Sequence, residues 1–253
     1  MTKSIKIEHL KKIVENEFLN ITKYLIPGEI DKLSLGTAGL FLNSIFEHLH
    51  SLNLLLDLGL IESAASVSTS LWERSITLQY IMTNHIEFTK AHAKHDKVKK
   101  TPWNIKQMVN GIIDFENHKV RNPEIEKDLL YMQYTYLCAI KHGSPFTMTY
   151  LNRIEKDNNT VIGLKPNFTK QDEDLKNYLL LLSITTAFEG ILKFSKVFCK
   201  KEKNEQLARL NRKITQTIIK DLNLDVPQII YSDEKEFKTD FWEYLQNLDK
   251  NGN

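Results

Sequence analysis

The sequence predicts an all-α fold. Three observations lead there. Apolar residues recur at three-to-four spacing over most of the chain, the signature of amphipathic helices. All six prolines fall at breaks in that pattern, where a residue without an N–H does least harm. Capping residues and glycines stand at the edges of the periodic stretches. Together they predict seven to eight helices in one all-α domain over 1–253, with a single short β-hairpin or irregular excursion near 146–168.

Taken in order, an N-terminal amphipathic helix runs from about Ile5 to Leu25 and stops at Pro27-Gly28. A second spans about Thr37 to Leu58, with Leu42, Ile45, Leu49, Leu52 and Leu56 on one face, and Gly59 ends it. A third runs from about Glu62 to Asn84 and carries Val67, Leu71, Leu78 and Ile81. In "TPWNIKQMVNGII", Thr101 is placed to cap and Pro102 to open a fourth. Asn122 and Pro123 repeat the device for "NPEIEKDLLYMQYTYLCAIKHG", with Glu124 and Glu126 in the first turn and Gly143 as the stop. Residues 146–168 contain β-formers around Asp157-Asn158-Asn159, a turn signal. Thr169 with Asp172 resembles a capping box opening a long helix to about Cys199. Another helix reaches about Leu222, and Ser232 caps a last one containing Phe241, Trp242 and Leu245.

Composition excludes several classes. Hydrophobic residues make up 42% of the 253 and charged residues 26%, ordinary values for a globular protein. The net charge of +2 is too small to imply a nucleic-acid or membrane partner by itself. Two cysteines, Cys138 and Cys199, both in apolar helical stretches, argue against a disulfide framework or a zinc site. The most apolar stretch, 178–194, is interrupted by Ser183, Thr185, Thr186 and Glu189, so it is expected to be a buried core helix. No signal core precedes the first helix, and the expected compartment is the cytoplasm. No glycine-rich phosphate loop, Walker lysine or G-x-S-x-G occurs. No cofactor and no metal site are expected.

Four constellations remain. His92, His95 and Asp96 share a helix face at ligand spacing, whereas His48 and His50 point apart; the alternative for the former is a solvated lysine-rich face. Glu73 stands in apolar surroundings, with Thr69 and Thr77 four residues to each side, and is either exposed or a partner for a buried donor. Arg74 lies about a hundred degrees round the helix from it. Tyr134, Cys138 and His142 share a face at the end of the fifth helix. His142 either caps the helix against its dipole or, with Lys141 beside a Gly-Ser-Pro loop, receives an anionic ligand. Two basic runs, Lys90–Lys106 and Lys193–Lys220, are either solvated faces or contacts for phosphate backbones.

Two segments together carry a resemblance. "LHSLNLLLDLGLIESAASVSTSLWERSITLQYI" (49–81) and "YTYLCAIKHGSP" (134–145) resemble the two signatures of a bacterial all-helical family of unknown function, over about residues 40–200. That family is similar in plan to HEPN domains, which act as RNA-cutting or RNA-binding partners in toxin–antitoxin and phage-defence systems. The resemblance implies a HEPN-like core at 40–200, with the N-terminal helix (1–36) and the C-terminal helices (201–253) packed on it. Glu73, Tyr134 and His142 fall on the family's glutamate, tyrosine and histidine. Cys138 replaces its serine and Thr69 its arginine. The closely spaced Arg and His of HEPN nucleases is absent, since Thr135, Tyr136 and Leu137 occupy the relevant places.

Two functions follow as expectations. One is an intracellular defence or toxin-type effector that binds or cleaves RNA without metal. His142 would be acid or base, Glu73 would orient it, and Lys141 or Arg74 would hold phosphate, with Tyr134 alongside. The other is a non-catalytic helical module that binds a partner protein or a small ligand. The resemblance further implies a homodimer, a protein partner encoded nearby, and no membrane association.

Overall fold

A computed structural model describes residues 3–27, 31–94, 102–116, 122–141, 153–156, 159–162 and 170–217. Among them are eight α-helices, and the fold is all-α as the periodicity predicts. The chain divides into two compact units, residues 1–211 and 212–253. The second is described only over 212–217, and the first holds everything that follows.

Helix α1 (Lys3–Asn20) continues as one 3-10 turn, Ile21–Tyr24. Helix α2 (Lys32–Asp57) begins five residues before the expected Thr37. The reason is a cap that apolar periodicity does not register. Asp31 accepts from the Ser34 backbone N–H at 2.8 Å, which satisfies one orphan donor and carries the helix through Gly36 and Gly39. At its far end Gly59 adopts φ 73°. The Gly59 N–H donates to Leu56 O and that of Leu60 to Leu55 O, closing the last turn as glycine stops do.

Helix α3 (Ile61–Thr83) follows after two residues. It ends at Asn84, whose extended backbone (φ −143°, ψ 71°) separates it from α4 (His85–Ala93), a helix not anticipated as a separate element. Helix α5 (Ile105–Glu116) starts later than Thr101-Pro102 suggest. The working cap is Asn104, which exchanges two hydrogen bonds with Gln107, the side chain of each accepting from the other's backbone N–H. Helix α6 (Pro123–Lys141) opens as expected, with Asn122 Oδ1 accepting from Ile125 N–H at 3.4 Å.

Strands Arg153–Lys156 and Asn159–Ile162 pair antiparallel, with Arg153 opposite Ile162 and Lys156 opposite Asn159. Helix α7 (Lys170–Phe198) and helix α8 (Lys201–Gln216) complete the described chain. The expected Ser232 helix, and Gly143 and His142 after α6, lie outside the described residues.

Helix α3 is the axis of the first unit, packing against α2, α4, α5, α6 and α7. Its Leu71, Trp72, Ile76, Leu78 and Ile81 are buried, and Ile45, Leu49 and Leu52 of α2 and Ile184, Phe188 and Ile191 of α7 meet the same fate. Fully burying such a side chain contributes about 1.5–3 kcal/mol. The α3–α7 seam also contains polar groups that satisfy one another. Ser68 Oγ lies 2.8 Å from Ser183 Oγ, Ser75 Oγ donates to Thr186 O at 2.7 Å, and Gln79 Nε2 donates to Ser75 Oγ at 3.2 Å. Gly190 lets the two helices come this close, since a Cβ there would stand 3.2 Å from Ser75 Oγ. The apolar stretch ending at Phe198 is long and apolar enough to cross a membrane but is 83% buried inside the protein, the core helix the sequence suggests.

A second seam joins the two ends of the first unit. The Ile26 N–H donates to Phe198 O and that of Lys200 to Tyr24 O, both at 2.9 Å. Between them Leu25 and Cys199 form an isolated antiparallel bridge. Lys203 Nζ lies 2.5 Å from Glu17 and 4.5 Å from the centre of the Tyr24 ring.

Candidate functional site

The site grows from Trp72. Its side chain is 1% exposed, its indole N–H donates to Gln133 Oε1 at 3.3 Å, and its ring stacks on Tyr134 at 5.3 Å. An indole and a phenol of this size bring both burial and geometry, so the pair sets where α6 crosses α3. One residue on, Glu73 is half-buried. Thr69 and Thr77 do not compete for it: their hydroxyls donate to the carbonyls of Ala65 and Glu73, each four residues back.

The Glu73 carboxylate therefore faces α6, where the Tyr134 hydroxyl hydrogen-bonds both to it and to Cys138. Burial foremost, then Cys138 and the charge of Glu73, hold the Tyr134 phenol above its ordinary value. Burial likewise pushes the Cys138 thiol up; Tyr134's hydrogen bond opposes that, Glu73 reinforces it, and Lys141 draws it down less strongly. Near neutral pH both groups keep their protons. A thiol so placed is a poor nucleophile and a phenol so placed is a donor, not a base.

Four of the residues singled out from the sequence thus converge on one corner: Glu73 from α3, and Tyr134, Cys138 and Lys141 from the last two turns of α6. Arg74 is exposed, a hundred degrees round α3 from Glu73. His142 follows Lys141 directly in the sequence and lies outside the described residues, so its approach to Glu73 is not described.

The basic run from Lys193 reads differently in three dimensions. Lys193 and Lys203 are buried, at 8% and 4% exposure. Lys193 Nζ lies 2.5 Å from Glu116 Oε2, and Lys196 reaches Glu116 Oε1 at 3.1 Å. These cations are therefore not available to a phosphate backbone. The ion pairs escaped sequence reading because Glu116 ends a different helix, and charge counted along a sequence does not show what faces it. Burial pushes the Glu116 carboxyl up, but its two lysines outweigh that and hold it below its ordinary value.

Nearby, Glu126 is raised by its surroundings and by the charge of Glu189, which accepts from Asn211 Nδ2 at 2.8 Å. A further cluster, of Tyr80, Phe88 and Trp103, also went unread. Tyr80 stacks on Phe88 at 4.6 Å and meets Trp103 edge-on at 5.1 Å.

His92 packs against the edge of Phe41, and His95 and Asp96 lie outside the described residues. His48 Nδ1 lies 2.6 Å from Ser44 O, and His50 Nδ1 lies 3.8 Å from Glu15. Among the described residues no group of three potential ligands could hold a metal ion. Cys138 and Cys199 are free thiols, and burial pushes that of Cys199 up to about 11. Compared with protein-family models, with curated proteins and with solved structures, the chain has no match.

Proposed function

We propose that the chain is an intracellular, cytoplasmic effector of the defence or toxin type that binds RNA and cleaves it without a metal, acting at the C-terminal end of α6. The observation that carries this reading is the convergence of Glu73, Tyr134 and Lys141 where α6 ends, immediately before His142 in the sequence. Cleavage of a phosphodiester by the adjacent 2′-hydroxyl needs a base for that hydroxyl and a cation for the phosphate. His142 supplies the first and Lys141 the second. Glu73 fixes the imidazole; a carboxylate accepts about four hydrogen bonds, so its bond from Tyr134 leaves room for another. Tyr134 holds Glu73 in place.

A second reading has its own support. Glu73 and Tyr134 satisfy each other across the α3–α6 interface, and the proton stays on the phenol. On that reading the pair ties two helices of a non-catalytic module that binds a protein encoded nearby or a small ligand.

Two variants of the purified chain separate the readings, each assayed for RNA cleavage or growth arrest beside a thermal melt. The catalytic reading expects His142→Ala to abolish activity while costing about 1 kcal/mol of stability, the size of a lost cap or single hydrogen bond. It expects Glu73→Gln, which keeps the shape, to reduce activity with a near-normal melt. Full activity in a folded His142→Ala chain would overturn it. Unchanged activity with a lowered melt in Glu73→Gln would establish the helix tie instead.

A further inference from the structure

The outward face of α2 is unpartnered in the single chain. Leu40 is 75% exposed, Leu58 73%, Leu54 62% and Leu33 46%, while the opposite face of the same helix is buried. Isolated surface leucines are ordinary, but a row of them along one helix is a contact surface. The row has a repeat. Starting at Leu33, positions three and four apart in alternation are all exposed: Leu33, Gly36, Leu40, Asn43, then Glu47, His50, Leu54 and Asp57. A spacing of 3.5 residues is what one helix needs to follow another along a shared seam.

The order of residues along the row selects the partner. We propose that this face of α2 pairs antiparallel with the same face of a second copy of the chain, about a two-fold axis near Ile45. Reversed about that point, Gly36 stands opposite Leu54, Asn43 opposite Glu47 and Leu40 opposite His50. A Cβ at Gly36 would meet nothing within 4 Å, so the position is an open notch that a protruding leucine fills.

Charge decides the direction. A parallel pair would set Glu47 against Glu47 and Asp57 against Asp57, which is repulsive. The antiparallel pair sets the Asn43 amide against the other copy's Glu47 and exposed Lys32 beside the other copy's Asp57. Asn43 Nδ2 already donates to Glu47 Oε1 of its own chain at 3.1 Å, and its second N–H is left for the other. Asp57 is 72% exposed and only 3.8 Å from its single neighbouring cation, Lys176, so it retains capacity for Lys32. Opposed helix dipoles add to the same preference. Isologous self-pairing of this kind requires a surface complementary to itself, and this one is. The inference stands on α2 alone and does not depend on the RNA reading.

Sedimentation of the full chain from low to high micromolar concentration tests it. A reversible dimer is expected. Leu40→Glu and Leu54→Glu should each weaken association by ~100-fold, as loss of a central apolar contact does, while the far-ultraviolet spectrum keeps its helical form because both positions are exposed. Lys32→Glu should weaken it by ~10-fold, and adding Asp57→Lys should restore it. Paired cysteines give the direction: a chain carrying Gly36→Cys mixed with one carrying Leu54→Cys should form an interchain disulfide. A monomer at every concentration overturns the proposal. So does a dimer indifferent to Leu40→Glu, or a disulfide between two Leu54→Cys chains in place of the mixed one.

Discussion

Gly111 shows how one missing methyl group can position a helix. A Cβ there would stand 2.4 Å from Tyr80 Cε2, and the ring is held between Phe88 and Trp103. Replacing glycine by alanine inside a helix ordinarily gains up to about 1 kcal/mol. Here the overlap costs about 1–3 kcal/mol, because Tyr80 cannot turn aside without breaking the cluster. Gly111→Ala should therefore lower the melting temperature, and Gly111→Ala with Tyr80→Ala should recover part of the loss; a stabilised single variant would show that the ring moves freely.

Tyr134 carries a pH signature. Its folded pKa is raised above the ordinary 10.0, so the folded state keeps the proton longer than the unfolded chain does. The stabilisation is complete below pH 10 and is lost as pH rises toward the folded value. Tyr134→Phe should cost about 1–3 kcal/mol at neutral pH, through the hydrogen bond to a carboxylate, and should flatten the alkaline limb of stability against pH. An unchanged alkaline limb in that variant would mean another group titrates there.

At the level of elements, Glu116 ties α5 to α7 through Lys193 and Lys196. Glu116→Gln leaves Lys193 buried without its carboxylate and should cost about 3–5 kcal/mol, whereas Glu116→Gln with Lys193→Met should recover much of it. Because the Glu116 pKa is lowered, its contribution is present above the ordinary 4.5 and is lost as pH falls through the folded value. Denaturant melts of the two variants at pH 7 and in acid would check both statements.

The same elements show what the sequence reveals. Apolar period and proline placement located α1, α2, α3, α6 and α7, since burial of one face is the largest local signal. Side-chain caps moved boundaries without altering apolar content, which is why Asp31 and Asn104 were passed over. Helix α4 was missed because Asn84 breaks the backbone with no proline or glycine to mark it. At the site, Glu73 and Tyr134 could be singled out as unusual for their surroundings. That Lys193 and Lys203 are spent on internal pairs could not, because Glu116 and Glu17 lie on other helices.

For the first unit as a whole, α3 is the element with the most neighbours. Its middle turns, from Leu71 to Ile81, are buried on nearly every side. Amides there should exchange with solvent only through global unfolding, while α4, short and with Thr89 its one buried side chain, should open locally at lower cost. Native-state hydrogen exchange would show this as two classes of opening free energy. Equal protection in α3 and α4 would mean that the unit opens in one step.

The seam that joins Leu25 to Cys199 has a consequence for the order of events on the ribosome. Glu17 and Lys203 are 186 residues apart. At about 5–20 residues per second, the partner that holds the end of α1 is made on the order of ten to forty seconds after α1 itself. Through that interval Ile7, Leu10 and Val14, all buried in the finished protein, await α7. The nascent chain thus passes through a stage with α2 and α3 already made and its first helix still undocked, a stage in which a chaperone that grips apolar helices would find a ready grip.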